Sequence, residues 1–119
     1  MHLLGFDIGS SAVKACLIEA ATGVVIATAV SPTDEMEIVA PHPDWAEQDP
    51  ELWWYHVKAA AAHIRRQAGA QTDAIAAIGI SYQMHGLVTI DKHQRVLRPA
   101  IIWCDSRAVE IGARAFQDL

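Results

Sequence analysis

Residues 74–81, Ala-Ile-Ala-Ala-Ile-Gly-Ile-Ser, are apolar on both alternating faces. A run this short suits a strand covered on both sides, as the strands of parallel sheets are. The segment before it reads as a helix. Asp49-Pro50-Glu51 opens that helix: Asp is a good N-cap, Pro suits the first helical position, and Glu favours the positive helix end. Trp53, Val57, Ala60, Ala61 and Ile64 then recur at helical spacing, which predicts an amphipathic helix over 50–67, with Gly69 to stop it. A strand reached through a helix normally returns parallel to its neighbour by a right-handed crossover. These two segments confine the chain to an α/β fold.

Three strands precede them. Residues 3–8, 12–19 and 24–30 are rich in Val, Ile, Leu and Ala, and Thr22-Gly23 marks a turn. Their short connections predict an antiparallel meander. Residues 31–48 hold three prolines and read as a surface loop. Downstream, 86–91 and 95–103 read as a hairpin around Asp91-Lys92-His93-Gln94. A last helix over 105–118 is expected, capped by Asp105, carrying Val109, Ala113 and Phe116, and weakened at Gly112.

The 119 residues are 52% hydrophobic and carry a net charge of −5, which fits an ordered globular domain. The nine basic residues are scattered, with only Arg65 and Arg66 adjacent, so no nucleic-acid partner is expected. No apolar run approaches the roughly 20 residues that span a bilayer, and no membrane partner is expected. Asp7 interrupts the N-terminal apolar stretch and no basic segment precedes it, so the expected location is the cytoplasm. Cys16 and Cys104 form no CxxC pair and read as two buried free thiols. The histidines show no HxxxH or HxH spacing, so no zinc site is expected.

Chemistry enters at Phe6-Asp7-Ile8-Gly9-Ser10-Ser11-Ala12-Val13-Lys14. An Asp at a strand end, followed by Gly and two hydroxyl residues in a tight turn, can serve a nucleoside triphosphate. The carboxylate can hold Mg²⁺ directly or through water. Glycine lets phosphate approach the backbone, and the N–H groups of such a turn can face an anion. Lys14 can reach a phosphate oxygen. The segment is neither a Walker A loop nor GxGxxG. Taken alone it reads more simply as an ordinary hairpin, with Asp7 and the serines as turn formers.

Asp7, Gly9, Ser10, Ser11 and Lys14 nevertheless resemble the first phosphate motif of the actin-like and sugar-kinase superfamily, DxG(T/S)(T/S) with a basic residue seven places after the Asp. Ser10 stands where Thr is usual, and the hydroxyl is kept. Three further stretches resemble the FGGY carbohydrate kinases, most of all the xylulose kinases. Pro43-Asp44-Trp45-Ala46-Glu47-Gln48-Asp49-Pro50, followed by Trp53-Trp54, is similar to their H-P-x-W-x-E-Q-D-P-x-x-W-W segment. Ile80-Ser81-Tyr82-Gln83-Met84-His85-Gly86 is similar to G-I-x-x-Q-M-H-G, where glycerol kinases of the family carry an Arg-Glu pair. Leu97 to Arg107 resembles R-P-A-I-x-W-x-D-x-R. The four stretches follow one another in register along nearly the whole chain.

The resemblance implies the N-terminal portion of a ribonuclease H-like, actin-like ATPase fold. The rest of that domain and a second domain would lie outside residues 1–119. It implies transfer of the γ-phosphoryl of ATP, with Mg²⁺, to the 5-hydroxyl of D-xylulose; ribulose and other pentuloses are the next substrates in line, and a non-catalytic sugar- or nucleotide-binding module is the rival role. Asp7 would orient Mg²⁺ or its water, Gly9, Ser10 and Ser11 would line the phosphate turn, and Lys14 would contact phosphate. Met84 and His85 would touch the sugar, with Trp45, Glu47 and Asp105 as further sugar-site candidates. Each has a plainer alternative in packing, capping or ion pairing, and Arg107 reads as a surface or ion-pair residue. The family's catalytic base sits in a downstream Gly-Gly-x-x-Asp segment that residues 1–119 do not contain. The chain alone is therefore expected to be inactive. It is also expected to self-associate through surface left uncovered at the last helix and at a sheet edge.

Overall fold

The computed structural model describes residues 1–115 and 117. In chain order the elements are β1 (His2–Ile8), β2 (Val13–Glu19), β3 (Val25–Ser31), β4 (Glu47–Gln48), α1 (Pro50–Ala68), a 3₁₀ turn (Gly69–Ala74), β5 (Ile75–Tyr82), β6 (Ala100–Ile101) and α2 (Val109–Ala115). They form two compact units, Met1–Met36 with Glu51–Gln83, and Glu37–Pro50 with Met84–Leu119.

The first unit is a four-stranded sheet in the order β3-β2-β1-β5. β1 and β2 pair antiparallel, as do β2 and β3, which is the expected meander. β5 pairs parallel to β1, as the helical crossover requires. Alternation sends Leu4 and Phe6 of β1, Val13, Ala15 and Leu17 of β2, and Ala27 and Ala29 of β3 into one buried cluster with Ala60 and Ile64 of α1. Leu17 and Ile64 are almost wholly enclosed, and burying such a side chain contributes about 1.5–3 kcal/mol. α1 ends where Gly69 adopts φ +56°, a conformation that costs glycine little.

β5 departs from expectation. Its doubly apolar pattern implies cover on both faces, yet β5 is an edge strand. Ile78, Ile80 and Tyr82 are 60%, 61% and 71% exposed. Their register partners Leu4, Phe6 and Ile8 show that they share the core face of the sheet. Of β5 only Ile75 packs against the core.

The second unit is built on the antiparallel pair β4–β6, with Glu47 opposite Ile101 and Gln48 opposite Ala100. Single bridges widen the ladder at Val39 with Glu47 and at Leu87 with Ile101. β4 lies in the stretch read as loop. The expected hairpin forms, as isolated bridges rather than continuous strands. Asp91 Oδ1 accepts the N–H groups of His93 and Arg95, and Oδ2 accepts the Nε–H of Arg95. Its two arms pair at the bridge of Ile90 with Val96 and again at that of Leu87 with Ile101, and between them Pro99 removes a ladder donor, so the pairing is not continuous.

The last helix begins at Val109, later than expected, so Asp105 does not cap it; its Oδ1 instead accepts the Arg107 N–H in a turn ahead of the helix. Val109 and Ala113 face solvent rather than a core; Phe116 lies outside the described residues. Neither thiol is fully buried: Cys16 is partly buried and Cys104 exposed, and both are free. No helix among the described residues is long and apolar enough to cross a membrane.

Candidate functional site

The β1–β2 turn gathers Asp7, Gly9, Ser10, Ser11 and Lys14. Gly9 N–H donates to the Ala12 carbonyl at 3.1 Å, and Met36 N–H donates to the Ser11 carbonyl at 2.7 Å, pinning the turn from outside. A Cβ on residue 9 would stand 3.2 Å from the Ala12 oxygen, so the tight closure favours glycine. Asp7 lies opposite Lys14 across β2 and opposite Ser81 across β5. It therefore sits at the carboxyl ends of two parallel strands, where α/β sheets hold their ligands.

The Asp7 side chain is 54% exposed, and the Lys14 side chain, whose ammonium lies 3.7 Å from the carboxylate, is 66% exposed. An exposed pair at that distance is weak and easily exchanged. On the sheet face away from α1, Gly5, Asp7, Lys14, Cys16 and Thr28 line a shallow, mostly apolar depression.

Among the described residues no three His, Cys, Asp or Glu side chains gather into a metal cage. Mg²⁺ is commonly held by one or two carboxylates together with water and a ligand's phosphates. A half-exposed Asp7 beside a glycine turn fits that mode.

Met84 and His85 follow β5 in the second unit. Met84 is 66% exposed. His85 is exposed and adopts φ +63°, an uncommon backbone state for a residue with a side chain. The bridge of Leu87 with Ile101 fixes the strand just beyond it, and a Cβ on Gly86 would meet the Ile101 oxygen at 3.6 Å.

Trp45, Glu47 and Asp105 also come together, around two arginines. Glu47 Oε1 accepts Arg107 Nη2 at 2.7 Å and also accepts Arg98 Nη2. Asp105 Oδ1 accepts the backbone N–H and Nε–H of Arg107 at 3.0 and 2.8 Å. Its Oδ2 accepts Arg107 Nη2 at 2.7 Å and the Ala46 N–H at 2.6 Å. The Arg107 guanidinium lies 3.7 Å from the centre of the Trp45 ring, and His42 meets the same ring edge-on at 4.6 Å. Two carboxylates and two guanidiniums balance in charge. Arg107 hydrogen bonding, supported by the Ala46 N–H, holds the Asp105 carboxyl well below the usual carboxylate range. Both acids are thus engaged in bracing the Asp44–Glu47 segment against Asp105–Arg107. Arg107 is the ion-pair residue that one reading of the sequence allowed, while the part played by Arg98 was missed. The Arg at each end of the R-P-A-I-x-W-x-D-x-R stretch was the available signal.

Residues 2–117 match the N-terminal domain model of the FGGY family of carbohydrate kinases. The chain belongs to this family. It is 41% identical over 107 residues to the xylulose kinase of Escherichia coli K12, a match covering 90% of this chain and 21% of that protein. The solved xylulose kinase of Brucella ovis superposes with a TM-score of 0.91 at 38% identity, over 99% of this chain and 24% of that one. That of Rhodospirillum rubrum gives 0.89 at 28% identity, over 100% of this chain and 24% of that one. The mixed α/β architecture is the N-terminal portion of the FGGY, actin-like fold. The FGGY chain described here spans between a fifth and a quarter of the length of these relatives.

Proposed function

We propose that this chain supplies the phosphate-facing turn and the sugar-facing segment of an ATP-dependent pentulose kinase that phosphorylates D-xylulose on its 5-hydroxyl. The observation that carries the reading is the half-exposed Asp7 carboxylate at the carboxyl ends of β1 and β5, ahead of a turn that only glycine closes comfortably. The likeness to xylulose kinases supports the choice of sugar.

When bound, Mg-ATP supplies the transferable phosphoryl group and the charge that must be held. Asp7 orients the metal or one of its waters, and the Gly9–Ser11 backbone lies against the phosphates. Lys14 exchanges its weak bond to Asp7 for a phosphate oxygen. His85 hydrogen-bonds a sugar hydroxyl, which one ring nitrogen can accept from while the other donates, and Met84 gives the sugar an apolar wall. No carboxylate of this chain is assigned as the base that takes the hydroxyl proton, so the chain alone has no meaningful turnover.

Joined in frame to the downstream part of a xylulose kinase, the chain is expected to prefer D-xylulose over D-ribulose, gluconate and glycerol by at least about tenfold in kcat/KM. A preference for any of the others overturns the choice of sugar.

The uncovered β5 edge has a second consequence in this reading: copies of the chain associate through it. Ile80→Lys is expected to lower the weight-average mass seen by sedimentation at high concentration. A wild-type chain that stays monomeric there contradicts the idea.

A further inference from the structure

Gln83 presents a polar group that the fold does not satisfy. It follows the last residue of β5, and its backbone N–H donates to the Ile8 carbonyl at 2.9 Å. That bond closes the β1–β5 ladder at Ile8, the last residue of β1 before the Gly9 turn. The side-chain Oε1 and Nε2 are both sealed from solvent and make no hydrogen bond to the protein. A primary amide offers two donors and an acceptor oxygen with two lone pairs. Buried without partners it is destabilising, whereas an apolar side chain of similar shape would be nearly neutral there. Internal water commonly settles such groups, usually through about three hydrogen bonds.

We propose that Gln83 is a positioning residue, whose buried amide holds one internal water that ties it to the Gly9–Ala12 turn and stiffens that turn for an anion. The anion part rests on the phosphate reading of Asp7 and its turn; the stiffening does not. Neither residue group is asked to move: the ladder bond at Ile8 already fixes Gln83 beside the first residue of the turn.

The test uses the 119-residue chain, labelled for NMR, with Gln83→Met and Gln83→Asn. The wild type is expected to show a long-lived water cross-peak to the Gln83 side-chain amide. Gln83→Met is expected to keep its thermal midpoint within a few degrees of wild type while amide exchange at Ser10 and Ser11 speeds up at least about tenfold. Gln83→Asn is expected to fall between the two. Mg-ATP, added as the probe, is expected to bind the Met variant about tenfold more weakly.

Absence of the water cross-peak overturns the proposal, as does unchanged exchange in the turn or a uniform rise across β1, β2 and β5. If Gln83→Met does not fold, the cross-peak and the Asn variant decide. A wild type that ignores Mg-ATP while the exchange result holds counts against the phosphate reading alone.

Discussion

Asp7→Asn, placed in this chain joined to the downstream part of a xylulose kinase, is expected to lower kcat by about 10²–10³-fold while leaving the thermal midpoint within a few degrees. Asn forms the same turn hydrogen bonds as Asp, so a residue that merely shaped the hairpin would tolerate the change. What Asn lacks is the charge that holds Mg²⁺ or its water. The side chain is half exposed and its ion pair with Lys14 is long, so little folding energy rides on it. Lys14→Ala should cost far less than Asp7→Asn, about tenfold or under, because an exposed flexible ammonium gives modest stabilisation. Steady-state kinetics with both variants separates the roles. Equal small effects from the two would reduce Asp7 to a turn former.

Glu47→Gln is expected to have the largest effect on stability. Glu47 is 7% exposed and its Oε1 serves both Arg107 and Arg98. The amide keeps the shape and removes the charge, which leaves two guanidiniums with one carboxylate between them. A drop in thermal midpoint of roughly 10 °C is expected by calorimetry. Pairing Glu47→Gln with Arg107→Met should recover part of the loss, as coupled residues do. A midpoint within about 2 °C of wild type would show that the cluster is ornamental.

The same cluster sets the acid response. The folded-state pKa of Asp105 is depressed, so its stabilising contribution is fully present above the unfolded carboxylate value near 4. It is lost progressively as pH falls from there toward the folded value. Asp105→Asn should be less stable at neutral pH and should show a flatter acid limb than wild type.

The first unit was legible because its signals are local. β1, β2, β3, α1 and β5 lie within a residue, at every end, of where alternation, helical spacing and the Asp49-Pro50-Glu51 start place them. The second unit was not, because its structure comes from partners far apart in sequence. β4 is two residues long and is defined by pairing with β6, far along the chain, and no periodicity can announce so short a strand. Glu47 meets Arg98 and Arg107 across separations of 51 and 60 residues. Asp105 carries the signature of a helix cap, yet one of its oxygens is taken by the Ala46 N–H, 59 residues earlier, and α2 starts only at Val109.

The site divides in the same way. Asp7, Gly9, Ser10, Ser11 and Lys14 are neighbours in sequence and in space, and Met84-His85 was found through its motif. Trp45, Glu47 and Asp105 were picked out as candidates, but their assembly around Arg107 needs the tertiary fold. So does the sealing of the Gln83 amide.

Phosphate recognition by the Asp7–Lys14 hairpin can be read directly from an NMR titration of the labelled chain with Mg-ATP. Saturable shifts at Gly9, Ser10, Ser11 and Lys14 are expected, dependent on Mg²⁺ and abolished by Asp7→Asn, with affinity in roughly the millimolar range. A hairpin whose resonances stay still up to ~10 mM ligand, or that respond equally well after Asp7→Asn, would contradict the role assigned to it.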